Sequence, residues 1–253
     1  GSVMLDGEDL SEIPVDKMRR IRGKKVSMIF QDPMTALNPL DTIGEQILEV
    51  IQLHEKISKA DAMKKAVDML EMVGIPAERY GEYAHQFSGG MKQRVVIAIA
   101  LACMPELLIA DEPTTALDVT IQAQILELMN NLKKELGTSL ILITHDLGVV
   151  AETCDEVVVM YCGRVVEKGN VYDIFGQTAH PYTQGLLRSI PKLGEHVEEL
   201  DSIPGNVPNP KYMPKGCKFA PRCEHATERC REEEPGFFDL GNGHLSRCWL
   251  CER

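Results

Sequence analysis

Short apolar runs recur along the chain, each bounded by polar or turn-forming residues. The runs are VSMIF (residues 26–30), LLIAD (residues 107–111), LILIT (residues 140–144) and EVVVMY (residues 156–161). Because hydrophobicity is continuous within each run rather than alternating, we expect β-strands covered on both faces, as in a parallel sheet. Apolar residues at helical spacing precede the second and third runs, at residues 90–104 and 120–136. Alternating helices and strands predict an α/β fold with a layered parallel sheet.

Between residues 34 and 87 the pattern predicts helices without strands. Helical spacing covers residues 41–54 and 58–75, with Ser58 and Asp61 as N-terminal capping residues and with Gly74 and Pro76 ending the second helix. We interpret this region as a helical insertion. Residues 190–214 hold five prolines and indicate an extended linker.

Composition narrows the classes of function. The chain has 253 residues, with 27 Lys and Arg against 38 Asp and Glu and a net charge of -11. Binding to a phosphate backbone requires a basic surface, so we do not expect nucleic acid as a partner. No apolar run is long enough to span a membrane and no signal peptide is visible, which predicts a cytosolic protein.

Polar side chains follow the predicted strands, at the sheet edge where α/β folds bind ligands. Asp111 suits Mg²⁺, usually through water, and Glu112 suits orienting or deprotonating an attacking water. His145 can hydrogen-bond a terminal phosphate, and the amide of Gln31 can serve both a metal-bound water and a phosphate oxygen. Any one of these residues alone is more often structural, but their joint placement indicates a phosphate site.

Ser88, Gly89 and Gly90 lie where a polar loop meets an apolar segment. A helix that begins there would present unpaired N–H groups and the positive end of its dipole to an anion such as phosphate. An isolated S-G-G is more often a simple turn.

Together these segments resemble the ATP-binding cassette (ABC) ATPases. Gln31, SGGMKQR (residues 88–94), LLIADEP (residues 107–113), ALD (residues 116–118) and THD (residues 144–146) are similar in order and spacing to the Q-loop, signature, Walker B, D-loop and H-loop. FQDPMTALNPL (residues 30–40), FSGGMKQR (residues 87–94) and AHPYTQGLL (residues 179–187) resemble more narrowly the ATPase subunits of dipeptide and oligopeptide importers.

The resemblance implies a P-loop NTPase-like fold, ATP and Mg²⁺ as cofactors, and a role for each matching residue. Asp111 would position Mg²⁺, Glu112 would polarise the hydrolytic water, His145 would contact the γ-phosphate, and Gln31 would sense metal and phosphate. Ser88, Gly89, Gly90 and Asp118 would face a second ATPase subunit and its nucleotide.

The resemblance also implies how the chain is organised and what it meets. Residues 1–33 and 88–177 would form the ATPase core, residues 34–87 a helical subdomain, and residues 178–253 a C-terminal extension with a Cys-rich tail. The expected partners are a second ATPase subunit, a transmembrane permease and, indirectly, a peptide-binding protein. The expected location is the cytoplasmic face of the cell membrane, as a peripheral subunit.

No G-x-x-x-x-G-K-[ST] motif occurs in the chain, so the phosphate-binding loop of such ATPases is missing. GSVMLDGEDL (residues 1–10) resembles the strand and turn that normally follow that loop, which suggests an N-terminally truncated cassette. The alternative to a transport ATPase is therefore a non-catalytic chain that supplies a signature face or a metal-bound tail to a partner.

Five of the eight cysteines lie near the C-terminus, while Cys103, Cys154 and Cys162 are expected to be ordinary buried thiols. The tail resembles an extension that carries a [4Fe-4S] cluster in some of these importer ATPases. The implied ligands are Cys217, Cys223, Cys230 and Cys248, with Cys251 spare. Zinc and unliganded thiols remain alternatives, and disulfides are disfavoured in the cytosol.

Overall fold

The structure is a computed structural model that describes residues 1–115, 117–190 and 201–252, without the side chains of residues 33 and 34. Ala116 of the ALD segment and residues 191–200 of the expected linker lie outside the described residues. The chain divides into two compact units, Gly1–His145 and Asp146–Arg253.

A parallel sheet forms the centre of the first unit. The strands of this unit are β1 (Met4–Leu5), β2 (Glu8–Asp9), β3 (Val26–Ile29), β4 (Leu107–Asp111) and β5 (Ser139–Ile143). The sheet has the order β3-β4-β5, with Val26 level with Leu107 and Leu107 level with Ser139. β1 and β2 pair separately as an antiparallel hairpin. The parallel arrangement predicted for the first three apolar runs is confirmed.

One face of this sheet is open, which differs from the expected cover on both faces. Met28, Ile141 and Ile143 are 37%, 49% and 46% exposed. The alternate residues Ile29, Leu108 and Ala110 are buried and pack against the helices. Both faces of the sheet are apolar, as the continuous runs predict, but only one of the two faces is buried.

Helices surround the buried face and form the predicted strand-free insertion. The helices of this unit are α1 (Val15–Ile21), α2 (Pro33–Ala36), α3 (Ile43–His54), α4 (Lys59–Met72), α5 (Gly89–Leu101) and α6 (Val119–Leu136). Ser58 caps α4 by accepting from the Asp61 N–H at 3.1 Å, and Gly74 adopts φ +78° after its end. Both predicted signals of this helix are confirmed.

The second unit is built on an antiparallel sheet. Its elements are α7 (Leu147–Thr153), β6 (Glu156–Tyr161), β7 (Arg164–Asn170), α8 (Val171–Gly176), α9 (Pro181–Arg188), α10 (Glu228–Glu232), β8 (Phe238–Asp239) and β9 (Leu245–Ser246). The sheet order is β6-β7-β9-β8, and every pairing in it is antiparallel. The Cys-rich tail thus adds two short strands to the hairpin β6–β7.

The expectation that the run at residues 156–161 joins a parallel sheet is wrong. β6 forms a hairpin with β7, and its burial alternates, with Val157, Val159 and Tyr161 inside. Val158 and Met160 point outward and are half exposed. A continuous apolar run can therefore also form an antiparallel strand that buries only one face.

A buried carboxylate joins the elements of the second unit. Glu167 on β7 is fully buried and accepts the N–H groups of Ala179 and His180 at 2.7 and 3.1 Å. His244, next to β9, lies 2.9 Å from the same carboxylate through Nε2. The start of α9 and the C-terminal tail are therefore fastened to one side chain.

Within the described residues, no helix is both long and apolar enough to cross a membrane.

Candidate functional site

The carboxyl ends of the three parallel strands meet at one edge of the first unit. Asp111 ends β4 level with Ile143 of β5, and Glu112 follows it directly. Gln31 comes two residues after β3 and His145 two residues after β5. The predicted delivery of these side chains from neighbouring strand ends is what parallel pairing produces.

Glu112 is the centre of a hydrogen-bonded group at this edge. Its Oε2 accepts from Gln31 Nε2 at 3.1 Å and from the Thr115 hydroxyl at 2.8 Å, and its Oε1 lies 3.1 Å from His145 Nδ1. The Thr115 hydroxyl first, and then the His145 ring, hold the pKa of Glu112 below its ordinary value. The carboxylate is thus kept ionised, while the His145 ring is largely exposed.

The backbone of Glu112 is unusual. Its φ is 45°, in the left-handed region that residues other than glycine rarely adopt. Its N–H donates to the Ile143 carbonyl at 2.8 Å, and its own carbonyl accepts from the Thr115 N–H at 3.1 Å. These two bonds hold a strained turn that aims the carboxylate off the end of β4.

The carboxylate of Asp111 is not part of the hydrogen bonds found around Glu112 in the described residues. It lies at the strand end beside them, half buried. The structure therefore brings Gln31, Glu112 and His145 together, and leaves Asp111 adjacent to the group.

Ser88 and the two glycines open α5, as the sequence predicts. Ser88 is the N-cap, and its hydroxyl makes no capping hydrogen bond. A Cβ on Gly90 would lie 2.5 Å from Cγ2 of Ile121, whereas one on Gly89 would lie 3.7 Å from Leu117. Gly90 is thus required for the close approach of α6, a packing reason that the sequence did not reveal.

Asp118 begins α6. Its carboxylate accepts from the Ile121 N–H at 3.0 Å and so serves as the N-cap. Capping is a structural role of Asp118. The role at a subunit interface remains what the resemblance implies.

Sequence reasoning missed two residues of this region. Thr115 holds Glu112, but the contact exists only because of the turn between them. Gln93 on α5 is buried and donates from Nε2 to the Pro113 carbonyl at 2.6 Å, while its Oε1 has no partner in the described residues. An amide inside an apolar helix was the signal that could have identified Gln93.

The C-terminal cysteines form a second candidate site, within the second unit. None of the eight cysteines forms a disulfide within the described residues. Of the three expected to be ordinary buried thiols, Cys103 is buried, whereas Cys154 and Cys162 are only partly buried. Four others line a single cavity of about 190 Å³, namely Cys217, Cys223, Cys230 and Cys248. The four predicted ligands are thus neighbours in space.

Polar groups lie near these sulfur atoms. Backbone N–H groups act to lower the thiol pKa at three of them, namely those of Phe219 and Ala220 at Cys217, that of His225 at Cys223 and that of Leu250 at Cys248. The Thr227 hydroxyl lies 3.2 Å from Cys230 Sγ. Each of the four sulfur atoms therefore has an N–H or O–H group near it.

Burial raises the pKa of the Cys217 and Cys223 thiols, and it raises the pKa of Cys248 to about 12. Among the residues described, no three Cys, His, Asp or Glu side chains gather closely enough to hold a single metal ion. The thiols instead stand apart around a shared space.

Sequence profiles of known protein families match two parts of the chain. The sequence profile described as "ABC transporter" matches residues 1–115, and the profile described as "Oligopeptide/dipeptide transporter, C-terminal region" matches residues 166–230. The oligopeptide transport ATP-binding protein AppD of Bacillus subtilis is 54% identical over 100% of this chain and 77% of its own length. The oligopeptide transport ATP-binding protein OppD of Haemophilus influenzae is 53% identical over 99% of this chain and 78% of its own.

Solved structures show the same fold. A dimeric ATP-binding cassette, MJ0796, in a post-hydrolysis state bound to ADP and Pi, superposes with a TM-score of 0.60 at 29% identity and covers 68% of this chain and 73% of its own. CbiO1 from Clostridium perfringens, part of an ABC transporter complex, gives a TM-score of 0.60 at 30% identity over 69% of this chain and 68% of its own.

Proposed function

This chain belongs to the ATPase subunits of oligopeptide and dipeptide ABC transporters, and on that premise we propose that Gln31, Glu112 and His145 form its hydrolytic site. The chain is the ATP-hydrolysing subunit of a peptide importer, and its fold is a P-loop NTPase-like cassette. The observation that supports the site is the convergence of three strand-end side chains on one carboxylate. Phosphoryl transfer depends mainly on positioning and on charge stabilisation, which such a group supplies.

Glu112 would polarise the water that attacks the γ-phosphate. An ionised carboxylate can only accept hydrogen bonds, so His145 Nδ1 is the donor in their contact. His145 Nε2 then remains for the γ-phosphate. A hydrogen bond from that nitrogen would offset the negative charge that develops on the phosphate in the transition state.

Gln31 and Asp111 would serve the metal. Gln31 donates its amide N–H to Glu112, which leaves its oxygen free to accept from a metal-bound water. Asp111 offers a carboxylate at the same strand ends, and Mg²⁺ prefers oxygen ligands. The residues present therefore fit ATP with Mg²⁺, and Mg²⁺ when bound would neutralise phosphate charge.

The start of α5 would face the nucleotide of a second ATPase subunit. Ser88, whose hydroxyl makes no capping hydrogen bond, lies at the N-terminus of a 13-residue helix, where backbone N–H groups and the helix dipole favour an anion. Gly89, Gly90 and Asp118 would lie at the same interface. The start of α5 would then complete the nucleotide site of the second subunit.

The remaining organisation follows from the family. Residues 1–33 and 88–177 would be the ATPase core, residues 34–87 the subdomain that contacts a transmembrane permease, and residues 178–253 the extension. The strand-free helices α3 and α4 support the subdomain. The subunit would lie at the cytoplasmic face of the membrane and meet a peptide-binding protein only indirectly.

Glu112→Gln tests the hydrolytic site. ATP hydrolysis is measured with the chain mixed with an intact partner cassette, and Glu152→Gln, a change of the same type on α7, is the control. Loss of turnover at Glu112 alone supports catalysis by this chain. Unchanged turnover in both variants would favour the non-catalytic alternative, in which the chain supplies only a signature face or a metal-bound tail.

For the C-terminal tail we propose a [4Fe-4S] cluster held by Cys217, Cys223, Cys230 and Cys248. The support is a single cavity lined by all four cysteines, an arrangement that suits thiolates around a body larger than one ion. The cluster when bound would cross-link the tail and supply a redox-active group. A single zinc ion fits less well, because no three ligands gather around one point in the part of the chain described.

Iron and sulfide analysis of anaerobically prepared protein tests the cluster. We expect Cys248→Ser to lose most of the iron, and Cys251→Ser to retain it, since Cys251 does not line the cavity. Stoichiometric zinc without iron would show that the cluster assignment is wrong.

A further inference from the structure

One buried imidazole lies in the wall of the four-cysteine cavity and has no part in the chemistry described so far. His180 is only 1% exposed and lines the cavity together with Phe219, whose ring centroid is 6.0 Å from its own. Burying an imidazole is costly unless its nitrogens have partners. The hydrogen-bond partner of each ring nitrogen therefore has to be identified.

The first nitrogen is assigned by a backbone donor. His180 is the N-cap of α9, and its Nδ1 accepts from the Tyr182 N–H at 3.1 Å. A nitrogen that accepts a hydrogen bond carries no proton, so the ring proton of the neutral imidazole is on Nε2. For this Nε2–H, the described residues show no acceptor.

The ring is held in place independently of anything in the cavity. The backbone N–H of His180 donates to Glu167, which is itself fully buried on β7 and is fixed further by Ala179 and His244. The His180 ring is thus held in position before anything binds in the cavity. Groups held in this way around the ligands of a metal centre tune its properties through hydrogen bonds.

We propose that His180 Nε2–H donates a hydrogen bond to a sulfur atom of the cluster bound in this cavity. This rests on the cluster proposed above and adds a residue that sets its redox behaviour. A hydrogen bond to cluster or cysteinyl sulfur stabilises the more negative, reduced state, so His180 raises the reduction potential.

The chain offers a matched control. His225 also lines the cavity, but its side chain is half exposed beside Glu224. Asn is a favoured N-cap residue, so His180→Asn retains the cap of α9 while its shorter side chain withdraws the donor. His225→Asn makes the same change at the exposed position.

Anaerobic redox titration of the full chain, followed by EPR, compares the three proteins at equal iron and sulfide content. We expect a lower midpoint potential in His180→Asn than in the wild type, and no shift in His225→Asn. Equal potentials in all three proteins would overturn the role of His180 while leaving the cluster in place. Absence of iron and sulfide from the wild type would instead overturn the cluster, and this inference with it.

A second measurement does not depend on the folding of His180→Asn. Wild-type protein labelled with ¹⁵N-histidine is reduced and studied by pulsed EPR. We expect a histidine nitrogen coupling that persists in His225→Asn. A reduced wild-type cluster without any such coupling would overturn the proposal, whatever the behaviour of His180→Asn.

Discussion

The Thr115 hydroxyl donates to Glu112 Oε2 over 2.8 Å, and it is the strongest of the contacts that keep this carboxylate ionised. Thr115 follows Glu112 by three residues in a turn whose first residue has a left-handed backbone. The carboxylate that we propose to activate water and the hydroxyl that holds this carboxylate are therefore parts of one turn.

Removal of that hydroxyl should slow ATP hydrolysis. Because this hydroxyl both positions the Glu112 carboxylate and favours its ionised form, we expect Thr115→Val to lower kcat, with KM little changed. The pKa of Glu112 should rise, so the acidic limb of the rate profile should move to higher pH. Thr115→Ser should restore both, and an unmoved limb in Thr115→Val would contradict the role.

Gly90→Ala should destabilise the packing of α5 against α6. The added Cβ would lie 2.5 Å from Ile121 Cγ2, and overpacking of this kind costs about 1–3 kcal/mol. Gly89→Ala is the control, because its Cβ would meet Leu117 at an ordinary 3.7 Å. Urea unfolding is the measurement, and Ile121→Ala should relieve the effect of Gly90→Ala. Equal midpoints for the two alanine variants would show that packing does not select glycine here.

Glu167→Ala should weaken the second unit severely. The change leaves two backbone N–H groups and His244 without their buried partner, and breaking a buried pair costs about 3–5 kcal/mol. Trp249, the only tryptophan of the chain, lies in this unit, so its fluorescence follows the unfolding. The neighbouring Lys168→Ala removes an exposed ion pair with Glu156 and should change little. A similar loss in both variants would contradict this account.

His180 should make the metal-free second unit sensitive to acid. Burial lowers the pKa of His180 from 6.5 to about 4, whereas the unfolded chain takes up the proton near pH 6.5. The unfolded state therefore binds more protons between these values, and stability falls as the pH drops through this window, by about 3 kcal/mol at most. Above pH 6.5 the residue contributes no such dependence.

Unfolding of metal-free protein between pH 7 and pH 4, followed by Trp249 fluorescence, measures this loss. His180→Asn has no imidazole to protonate, so it should lose less stability across the window than the wild type. Parallel pH curves for the two proteins would rule out His180 as the source.

The parts of the site that depend on strand ends could be predicted from the sequence. Parallel pairing places Gln31, Glu112 and His145 at one edge whatever the details of their neighbours. Thr115 could not be predicted, since its contact depends on a left-handed φ at Glu112 that the sequence does not encode in any simple pattern. The sheet topology thus brings the three side chains together, whereas the hydrogen bond from Thr115 to Glu112 depends on local backbone geometry.

The fold was predictable to a similar extent. Continuous apolar runs identified four strands, but Val158 and Met160 of the last one face outward in a hairpin. The hydrophobic pattern of a strand indicates which side chains it can bury. The pattern does not indicate which neighbouring strand it pairs with. The need for glycine at position 90 could not be predicted either, because it depends on the side chain of Ile121, 31 positions away on another helix.

The buried bond from Gln93 to Pro113 gives the first unit a mechanical property. It ties the helix that opens with Ser88 to the residue directly after Glu112. No solvent can replace this bond, so a displacement of α5 by a docking subunit must either carry the Glu112 turn with it or break the bond. Arrival of a partner at one end of the helix would thus change the position of the Glu112 carboxylate, which we propose to activate water.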